Sequence, residues 1–438
     1  MLPRVLLVAT TTGYQTRAFG EAAERLGVGL ALATDRCRTL ENPWRDAAIP
    51  VRFHDEPASV RAIAREAARQ PFSGVLAVGD RPVALAARAA EALGLPWHPP
   101  AAARACRSKL ETRERLRAAG LPVPWYRTLA IADRQVGMPA FPCVVKPLSL
   151  SGSRGVIRAD TPADLERAVT RVRHLLRSRD VRALREADAE TLLVEGYLPG
   201  EEYAIEGLLD QGRLRVLAVF DKPDPLVGPF FEETIYVTPS RAPAARQAAI
   251  EAAVGHAVRA LGLTHGAVHA ECRVDGERVY VLEVAARPIG GLCARALRFC
   301  RAGDNDPIGF EELLLRHAIG ESSAPWSREP LASGVMMIPI PRRGLYRRTE
   351  NLESAASVRG ITAIEITARP DQLITPLPEG ASYLGFIFAR AAAPAGAEGA
   401  LREAHARLRF VIERPIDLMP AGDARTGDAQ PGLARDLR

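Results

Sequence analysis

The chain has 438 residues, of which 47% are hydrophobic and 25% charged, a globular composition with enough length for two or three packed domains. Its net charge of +6 comes from arginines interspersed with acidic residues, as in residues 111–115, which predicts solvated helix faces and no nucleic-acid partner. Because no apolar stretch of about 18 residues, no signal peptide and no C-x-x-C pair occurs, we expect a cytoplasmic protein with reduced cysteines, no membrane partner and no zinc.

Residues 1–105 alternate short apolar strands with helices, which predicts an α/β domain built on a parallel sheet. The expected elements are strand 4–9, helix 15–26, strand 28–33, helix 58–69, strand 74–78 and helix 82–93. Residues 10–13 follow the first strand at the carboxyl edge of this sheet, where ligands often bind. One further helix is expected over residues 101–120.

Residues 106–195 predict a linking helix followed by a small second unit. A loop rich in serine and glycine, residues 149–155, lies between two short strands of this unit. Such a loop can fold its N–H groups around phosphate oxygens, although many Ser/Gly loops are plain hairpin tips. The expected elements are strand 141–146, strand 155–158, helix 162–176 and strand 191–195.

Residues 196–325 predict a third unit with carboxylates on apolar strands. Glu271 and Glu283 lie on either side of a turn near residues 275–277, and a buried carboxylate is costly unless it is paired or binds a cation. A three-residue turn would place both on one face, within reach of Mg²⁺, whereas a two-residue turn would place them on opposite faces. The expected elements are strands 202–209 and 214–221, helix 242–261 and hairpin 266–284.

The remaining residues predict less. A helix carrying Cys293 and Cys300 is expected after Gly291, with Cys293 as a candidate lining residue of a pocket. Residues 326–415 predict a strand-rich C-terminal domain with one helix at 400–408, and residues 416–438 a disordered tail. His317 has no partner pattern in the sequence and is interpreted as structural or surface.

Lysine is rare in this basic chain, since the 58 basic residues comprise 55 arginines and only Lys109, Lys146 and Lys222. A compact ammonium enters narrow phosphate sites that a planar guanidinium does not fit, so the remaining lysines could mark such sites. Chance is the other explanation. Lys222 ends a strand that leads towards Glu233, and we expect it to face the active site without an assigned role.

Four motifs occur in order: the helix with Lys109, the strand ending in Lys146 with its Ser/Gly loop, residues 193–203, and the Glu271–Glu283 hairpin followed by Arg287. Taken alone, residues 193–203 fit a solvated loop between strands better than a binding segment. Together the four resemble the ATP-grasp superfamily over residues 1–325, and within it the L-amino acid ligases (dipeptide synthetases) and carnosine-synthase-like enzymes. Residues 228–234, 269–271 and 287–291 carry the closer likeness.

The resemblance implies an ATP-grasp fold, of mixed α/β and α+β class, with ATP as cofactor. Lys109 and Lys146 would hold phosphates under the 149–155 loop. The implied ATP-binding residues are Lys109, Lys146, Ser151, Gly152, Ser153, Glu195 with the backbone of Tyr197 and Leu198 for adenine, and Glu202 for ribose.

The resemblance also implies a metal and substrate site. Glu271 and Glu283 would bind one or two Mg²⁺ ions, with Mn²⁺ as an alternative, and Glu233 would meet the amino group of an amino acid. The carboxylate, the acyl phosphate and the tetrahedral intermediate would be held by Arg287, Gly290 and Gly291, and the catalytic residues would be Arg287, Lys146 and Glu283. The family usually has Asn where this chain has Ala285, which leaves the number of ions open.

We therefore predict an ATP-dependent carboxylate–amine ligase that acts on small molecules through an acyl phosphate, by analogy as a homodimer. One alternative is an ATP-grasp carboxylase or purine-pathway ligase that uses bicarbonate or formate. Residues 230–234 speak against it, because such small acids need no carboxylate that recognises an amine. A second alternative, suggested by Ala285, is a non-catalytic nucleotide-binding protein.

Overall fold

The computed structural model of the chain describes residues 2–10, 14–35, 48–133, 137, 139–186, 188–303 and 306–414. The elements given below belong to these residues. Most of the expected ligand-binding turn, residues 11–13, lies outside them, and so does the expected disordered tail.

The N-terminal region is a parallel sheet flanked by helices, as predicted. Its elements are β1 (Arg4–Ala9), α1 (Tyr14–Leu26), β2 (Gly29–Thr34), β3 (Ala48–Pro50), α2 (Glu56–Arg69), β4 (Gly74–Val78) and α3 (Pro82–Leu93), with strand order β3-β2-β1-β4. Both β1 and β4 are buried along their whole length, since apolar side chains on both faces are covered. Leu6 and Val8 face one core, and Val5 and Leu7 face the other.

The helix expected over residues 101–120 is wrong, because the chain forms two helices there, α4 (Pro100–Arg107) and α5 (Lys109–Ala118). Ser108 separates them with an extended backbone, and its hydroxyl accepts a hydrogen bond of 3.3 Å from the N–H of Glu111. This is an N-cap, which satisfies one of the unpaired donors at the start of a helix. The break places Lys109 in the first turn of α5.

A smaller antiparallel sheet of order β5-β8-β6-β7 forms the next region, with α6 packed against it. The hairpin of β6 and β7 carries the Ser/Gly loop, as predicted. The elements are β5 (Tyr126–Ala130), β6 (Cys143–Pro147), β7 (Ile157–Ala159), α6 (Pro162–Leu176), α7 (Arg179–Ala183) and β8 (Thr191–Gly196).

The region that follows supplies five strands of a large antiparallel sheet and a separate three-stranded sheet. Its elements are β9 (Glu201–Asp210), β10 (Arg213–Asp221), β11 (Ile235–Thr238), α8 (Ala244–Leu261), β12 (Gly266–Asp275), β13 (Arg278–Ala285), β14 (Arg298–Arg301), β15 (Ile308–Gly309), α9 (Phe310–Ala318) and β16 (Trp326–Arg328). The helix expected after Gly291 is wrong: a single 3₁₀ turn, Cys293–Ala296, leads into β14, which carries Cys300.

The C-terminal region adds β17 (Ala332–Ile338), β18 (Gly344–Glu350), α10 (Leu352–Ala356), β19 (Ile361–Ile366), β20 (Leu373–Ile374), β21 (Gly385–Ala391), α11 (Pro394–Arg407) and β22 (Arg409–Glu413). The large sheet has the order β13-β12-β9-β10-β11-β17-β21-β19, so it continues across the domain boundary predicted at residue 326. The sheet does not mark where one domain ends and the next begins, so the domain boundaries given by the sequence stay predictions. Helix α11 begins six residues before the predicted start, since Pro394 is compatible with the first turn.

Two further properties of the described residues concern the thiols and the length and apolarity of the helices. Cys106, Cys143, Cys272, Cys293 and Cys300 are free thiols, and all but the last are buried. In this part of the chain, no helix combines the length and apolarity that a membrane crossing requires.

Candidate active site

A cavity of about 240 Å³ lies where α5, the small sheet and the large sheet meet, and all of the predicted site residues line it. These are Lys109, Lys146, Ser151, Gly152, Ser153, Glu195, Tyr197, Leu198, Glu202, Glu233, Glu271, Glu283, Arg287, Gly290 and Gly291. The fold thus brings together side chains from separate segments, as a shared ligand site requires. The individual roles of these residues stay predictions.

The two hairpin carboxylates lie directly opposite each other, Glu271 on β12 and Glu283 on β13. Because Asp275 pairs with Arg278, the turn has two residues, which is the second of the two alternatives that the sequence left open. A regular ladder from such a turn would place the carboxylates on opposite faces. A β-bulge at Leu282 shifts the register by one residue and brings both back to one face. The prediction that Glu271 and Glu283 share one face is therefore confirmed, but the cause is a β-bulge that the sequence did not indicate.

Lys222 lies just beyond β10, buried behind the wall of the cavity. Its Nζ atom is 2.7 Å from a carboxylate oxygen of Glu202, 2.5 Å from one of Glu233 and 2.9 Å from one of Glu271. Burial would lower the pKa of this ammonium, but the three carboxylates raise it well above its ordinary value. Lys222 is therefore a permanent cation that holds three cavity-lining acids together.

The same cluster separates the acidities of two neighbouring carboxyls. Burial, with repulsion from Glu271, raises the pKa of Glu233 to about 7. Burial would also raise the pKa of Glu271, but Lys222 and His269 hold it well below its ordinary value. Glu271 is therefore ionised at neutral pH, as a metal ligand must be.

A buried pair that the sequence did not single out supports Glu271. His269 on β12 contacts Glu206 of β9 through Nδ1, and its Nε2 lies 3.5 Å from Glu271. Burial would lower the pKa of His269, but Glu206 raises it to about 9. The other oxygen of Glu206 accepts from the N–H of Ile289 at 3.2 Å, beside the predicted glycine pair. The sequence feature that could have indicated this pair is the carboxylate of Glu206 within the apolar run of β9.

At the predicted adenine end, the Glu195 carboxylate is enclosed by two cations. Arg113 of α5 donates to it at 3.0 and 3.2 Å, and Lys146 forms an ion pair with it. Burial would raise the pKa of Glu195, but these cations lower it to about 2. The interpretation of residues 111–115 as a solvated face is wrong for Arg113, which is only 1% exposed.

The linker between β8 and β9 is held at defined points. The N–H of Tyr197 donates to the carbonyl of Pro142 at 3.0 Å, and Arg273 donates to the carbonyl of Leu198 at 2.6 Å. Arg273 also donates to Glu202 at 2.8 Å. Within the described residues, the Leu198 N–H and the Tyr197 carbonyl have no hydrogen-bond partner, so they remain available to the edge of a base.

The 149–155 loop is anchored at both ends. Lys109 donates to the carbonyl of Leu150 at 2.6 Å, and the N–H of Gly155 donates to the carbonyl of Pro378 at 2.9 Å. Gly152 and Ser153 both have left-handed backbones, with φ of +62° and +55°. The loop is thus folded over the cavity between α5 and the C-terminal region.

Arg287 is not a free guanidinium. It forms a bidentate ion pair with Asp80, with Nε and Nη2 distances of 2.7 and 3.0 Å, and Nη1 donates to the carbonyl of Pro288. Burial would raise the pKa of Asp80, but Arg287 holds it below its ordinary value. Sequence reasoning missed Asp80, although it follows β4 at the carboxyl edge of the parallel sheet, where ligand-site residues are often found.

The donor set suits a hard divalent cation, which prefers oxygen ligands and keeps several waters. Glu271 and Glu283 offer two carboxylates on one face, and Ala285 offers no side-chain oxygen. One carboxylate oxygen from each of Glu202, Glu233 and Glu271 also lies within 4.8 Å of the others, but the Lys222 ammonium already occupies the position between them. The hairpin pair is therefore the better fit for Mg²⁺, with water in place of the missing amide.

Family models match three successive segments of the chain. The ATP-grasp N-terminal domain matches residues 20–97, the ATP-grasp domain residues 139–296, and the L-amino acid ligase C-terminal domain 2 residues 336–413. Together with the fold, these matches show a protein with ATP-grasp domains and an L-amino acid ligase C-terminal domain, and they indicate an ATP-dependent carboxylate–amine ligase.

Individual proteins are also similar to this chain. The structure is similar to that of L-amino acid ligase from Bacillus licheniformis, with a TM-score of 0.80 and 29% identity over 94% of this chain and 99% of that one. An uncharacterised protein, y4rH of Sinorhizobium fredii, is 26% identical over 79% of this chain and 70% of its own length. Carnosine synthase 1 of Gallus gallus is 30% identical over 50% of this chain, which spans only 25% of that protein.

Replacing Lys222 with Met should lower the free energy of unfolding by about 3–5 kcal/mol, because three buried carboxylates lose their shared cation. Urea denaturation measures this loss. Arg246→Met is the matched control, since Arg246 pairs with Glu201, the exposed neighbour of Glu202, and exposed ion pairs contribute little. Equal stability of the two variants would contradict the role given to Lys222.

Proposed function

We propose that this chain joins the carboxylate of one amino acid to the amine of a second amino acid or related amine, with release of ADP and phosphate through an acyl phosphate. The observation that carries this proposal is the single cavity in which candidate ATP, metal and amino-acid groups lie side by side. Likeness to an L-amino acid ligase along almost the whole chain supports the choice of substrates.

Glu195 and the linker would hold the adenine end of ATP, with the Leu198 N–H and the Tyr197 carbonyl facing the base. Lys109 and Lys146 each keep ammonium donors beyond the bonds described above, since an ammonium has three N–H groups. These donors and the loop N–H groups would bind the phosphates. Glu202 already accepts from two cations, and a ribose hydroxyl could donate to its remaining lone pairs.

Glu271 and Glu283 would hold Mg²⁺, which supplies charge neutralisation at the phosphoryl group. Three of the five N–H donors of Arg287 are used within the described residues, which leaves two for an anion. Because Asp80 fixes the guanidinium plane, these two donors are oriented before substrate arrives. Such preorganised donors stabilise charge that develops on transferring oxygens.

In the proposed reaction, a carboxylate oxygen of the first substrate attacks the γ-phosphorus of ATP, and the bond to the bridging oxygen of ADP breaks. The amine then attacks the acyl carbon, the bond from that carbon to the phosphate oxygen breaks, and the nitrogen loses a proton. The anchored 149–155 loop would exclude water, which would otherwise hydrolyse the acyl phosphate.

Glu233 would pair with the ammonium of the amino acid that is activated. Around it, Phe231, Met337, Tyr383 and Cys293 line the cavity and form an apolar wall for a substrate side chain. Sequence reasoning anticipated Cys293 here but not Met337 or Tyr383, because their strands and loops are distant in the chain.

Incubation with ATP, Mg²⁺ and an L-amino acid panel should release ADP and form a dipeptide or related amide detectable by mass spectrometry. Glu283→Gln should lower turnover by at least about 100-fold, because one carboxylate ligand is lost. Glu277→Gln, in the exposed turn of the same hairpin, is the control and should keep wild-type turnover. ADP release with bicarbonate or formate alone, or full activity of Glu283→Gln, would contradict the proposal.

Asp80→Asn should lower kcat about 10- to 100-fold while leaving the KM for ATP nearly unchanged, because Arg287 loses its fixed orientation but the adenine site is intact. Steady-state kinetics separates the two constants. Asp275→Asn, at the exposed hairpin turn, should change neither. A 10- to 100-fold rise in the KM for ATP with unchanged kcat would mean that Asp80 acts on ATP binding and not on the orientation of Arg287.

A further inference from the structure

A second cluster of metal-ligating side chains lies outside the cavity described above. Asp210 ends β9, His265 directly precedes β12, and His317 lies in the last turn of α9. Leu209 pairs with Gly266 in the large sheet, so Asp210 and His265 emerge side by side at one end of it. Helix α9 packs across this end and contributes His317.

The three side chains are close enough to share one ion. Nδ1 of His265 lies 3.2 Å from Oδ1 of Asp210, and the rings of His265 and His317 stack with centroids 4.3 Å apart. One ligand atom from each of the three residues lies within 4.8 Å of the other two. With metal–ligand distances of about 2.0–2.2 Å, two ligand atoms of one ion are at most about 4.4 Å apart, so binding would draw the three side chains slightly closer together.

His317 gives an independent indication. The residue is 94% buried, and within the described part of the chain its Nε2 atom has no hydrogen-bond partner. The carbonyl of Leu209 lies beside the imidazole. Metal-binding histidines characteristically donate one ring N–H to a carbonyl or carboxylate and present the other nitrogen to the ion.

A third histidine nearby is excluded as a ligand. Nε2 of His98 lies 3.1 Å from the carbonyl of Ala267, and Nδ1 accepts from the N–H of Thr264 at 3.4 Å. Both ring nitrogens of His98 are therefore occupied.

We propose that Asp210, His265 and His317 bind one Zn²⁺ ion, with water in the fourth position. Two imidazoles and a carboxylate are a zinc-type donor set, whereas the oxygen-only hairpin pair suits Mg²⁺. The ion would fasten α9 to the end of the large sheet. The expectation of no zinc rested on local ligand spacing, which does not detect residues brought together by the fold.

The test is a zinc titration of the full chain, first stripped of metal by a chelator, in millimolar Mg²⁺ and with a chromophoric competitor. Wild type should bind one equivalent of Zn²⁺. His265→Ala and His317→Ala should lose that equivalent, and Asp210→Asn, at an exposed carboxylate, should weaken its affinity at least about 10-fold. His256→Ala, on the exposed side of α8, is the matched control and should bind as wild type does.

Replacement of the ion by Co²⁺ should give the visible absorption of a four-coordinate site in wild type and not in His265→Ala. The proposal is overturned if wild type binds no equivalent of Zn²⁺, or if the equivalent persists in all three ligand variants, as it would if free thiols bound it. Because Asp210→Asn changes only an exposed side chain, the test does not depend on the folding of the buried His317 variant. Ligase activity is a separate readout, so failure of one proposal leaves the other intact.

Discussion

One buried ammonium, that of Lys222, is the interaction on which the arrangement of this site depends. Three carboxylates from three segments, Glu202, Glu233 and Glu271, meet around it. Without a cation between them, these acids would repel one another or bind protons. With it, Glu271 stays ionised opposite Glu283, and Glu202 stays in contact with Arg273, which in turn fixes the linker at Leu198.

Buried carboxylates are also paired with cations at the edges of the cavity. Glu195 is paired with Arg113 and Lys146, and Asp80 is paired with Arg287. Each pair joins residues of different regions: α5 with the small sheet, and the N-terminal sheet with the strand that follows the hairpin. The N-terminal region is therefore part of the site, since its Asp80 orients Arg287.

The sequence predicted the order of elements and the cavity-lining residues well, because both depend on local patterns: apolar runs, a Ser/Gly loop, and carboxylates on buried strands. The three lysines also lie at the site, with Lys109 and Lys146 lining the cavity and Lys222 behind it, which argues against chance placement. The sequence did not predict the bulge at Leu282, because a continuous apolar run around Glu283 carries no mark of an extra residue.

Contacts between residues distant in the chain could not be predicted from local sequence patterns either. Arg113 stands among solvated charges in the sequence and is buried only because β8 brings Glu195 to it. Asp80, Glu206 and the partners of His317 are defined by contacts between elements far apart in the chain. The break between α4 and α5 could be predicted only in part. Ser108 is a residue type that favours an N-cap, but the helical periodicity on both sides of it indicates one continuous helix.

Transfer of oxygen tests most directly whether the carboxylate of one substrate becomes an acyl phosphate. An amino acid labelled with ¹⁸O in its carboxylate is incubated with ATP, Mg²⁺ and the amine, and the released phosphate is examined by mass spectrometry. The account predicts that each turnover places one ¹⁸O atom in inorganic phosphate. Unlabelled phosphate, or release of AMP and pyrophosphate, would contradict it.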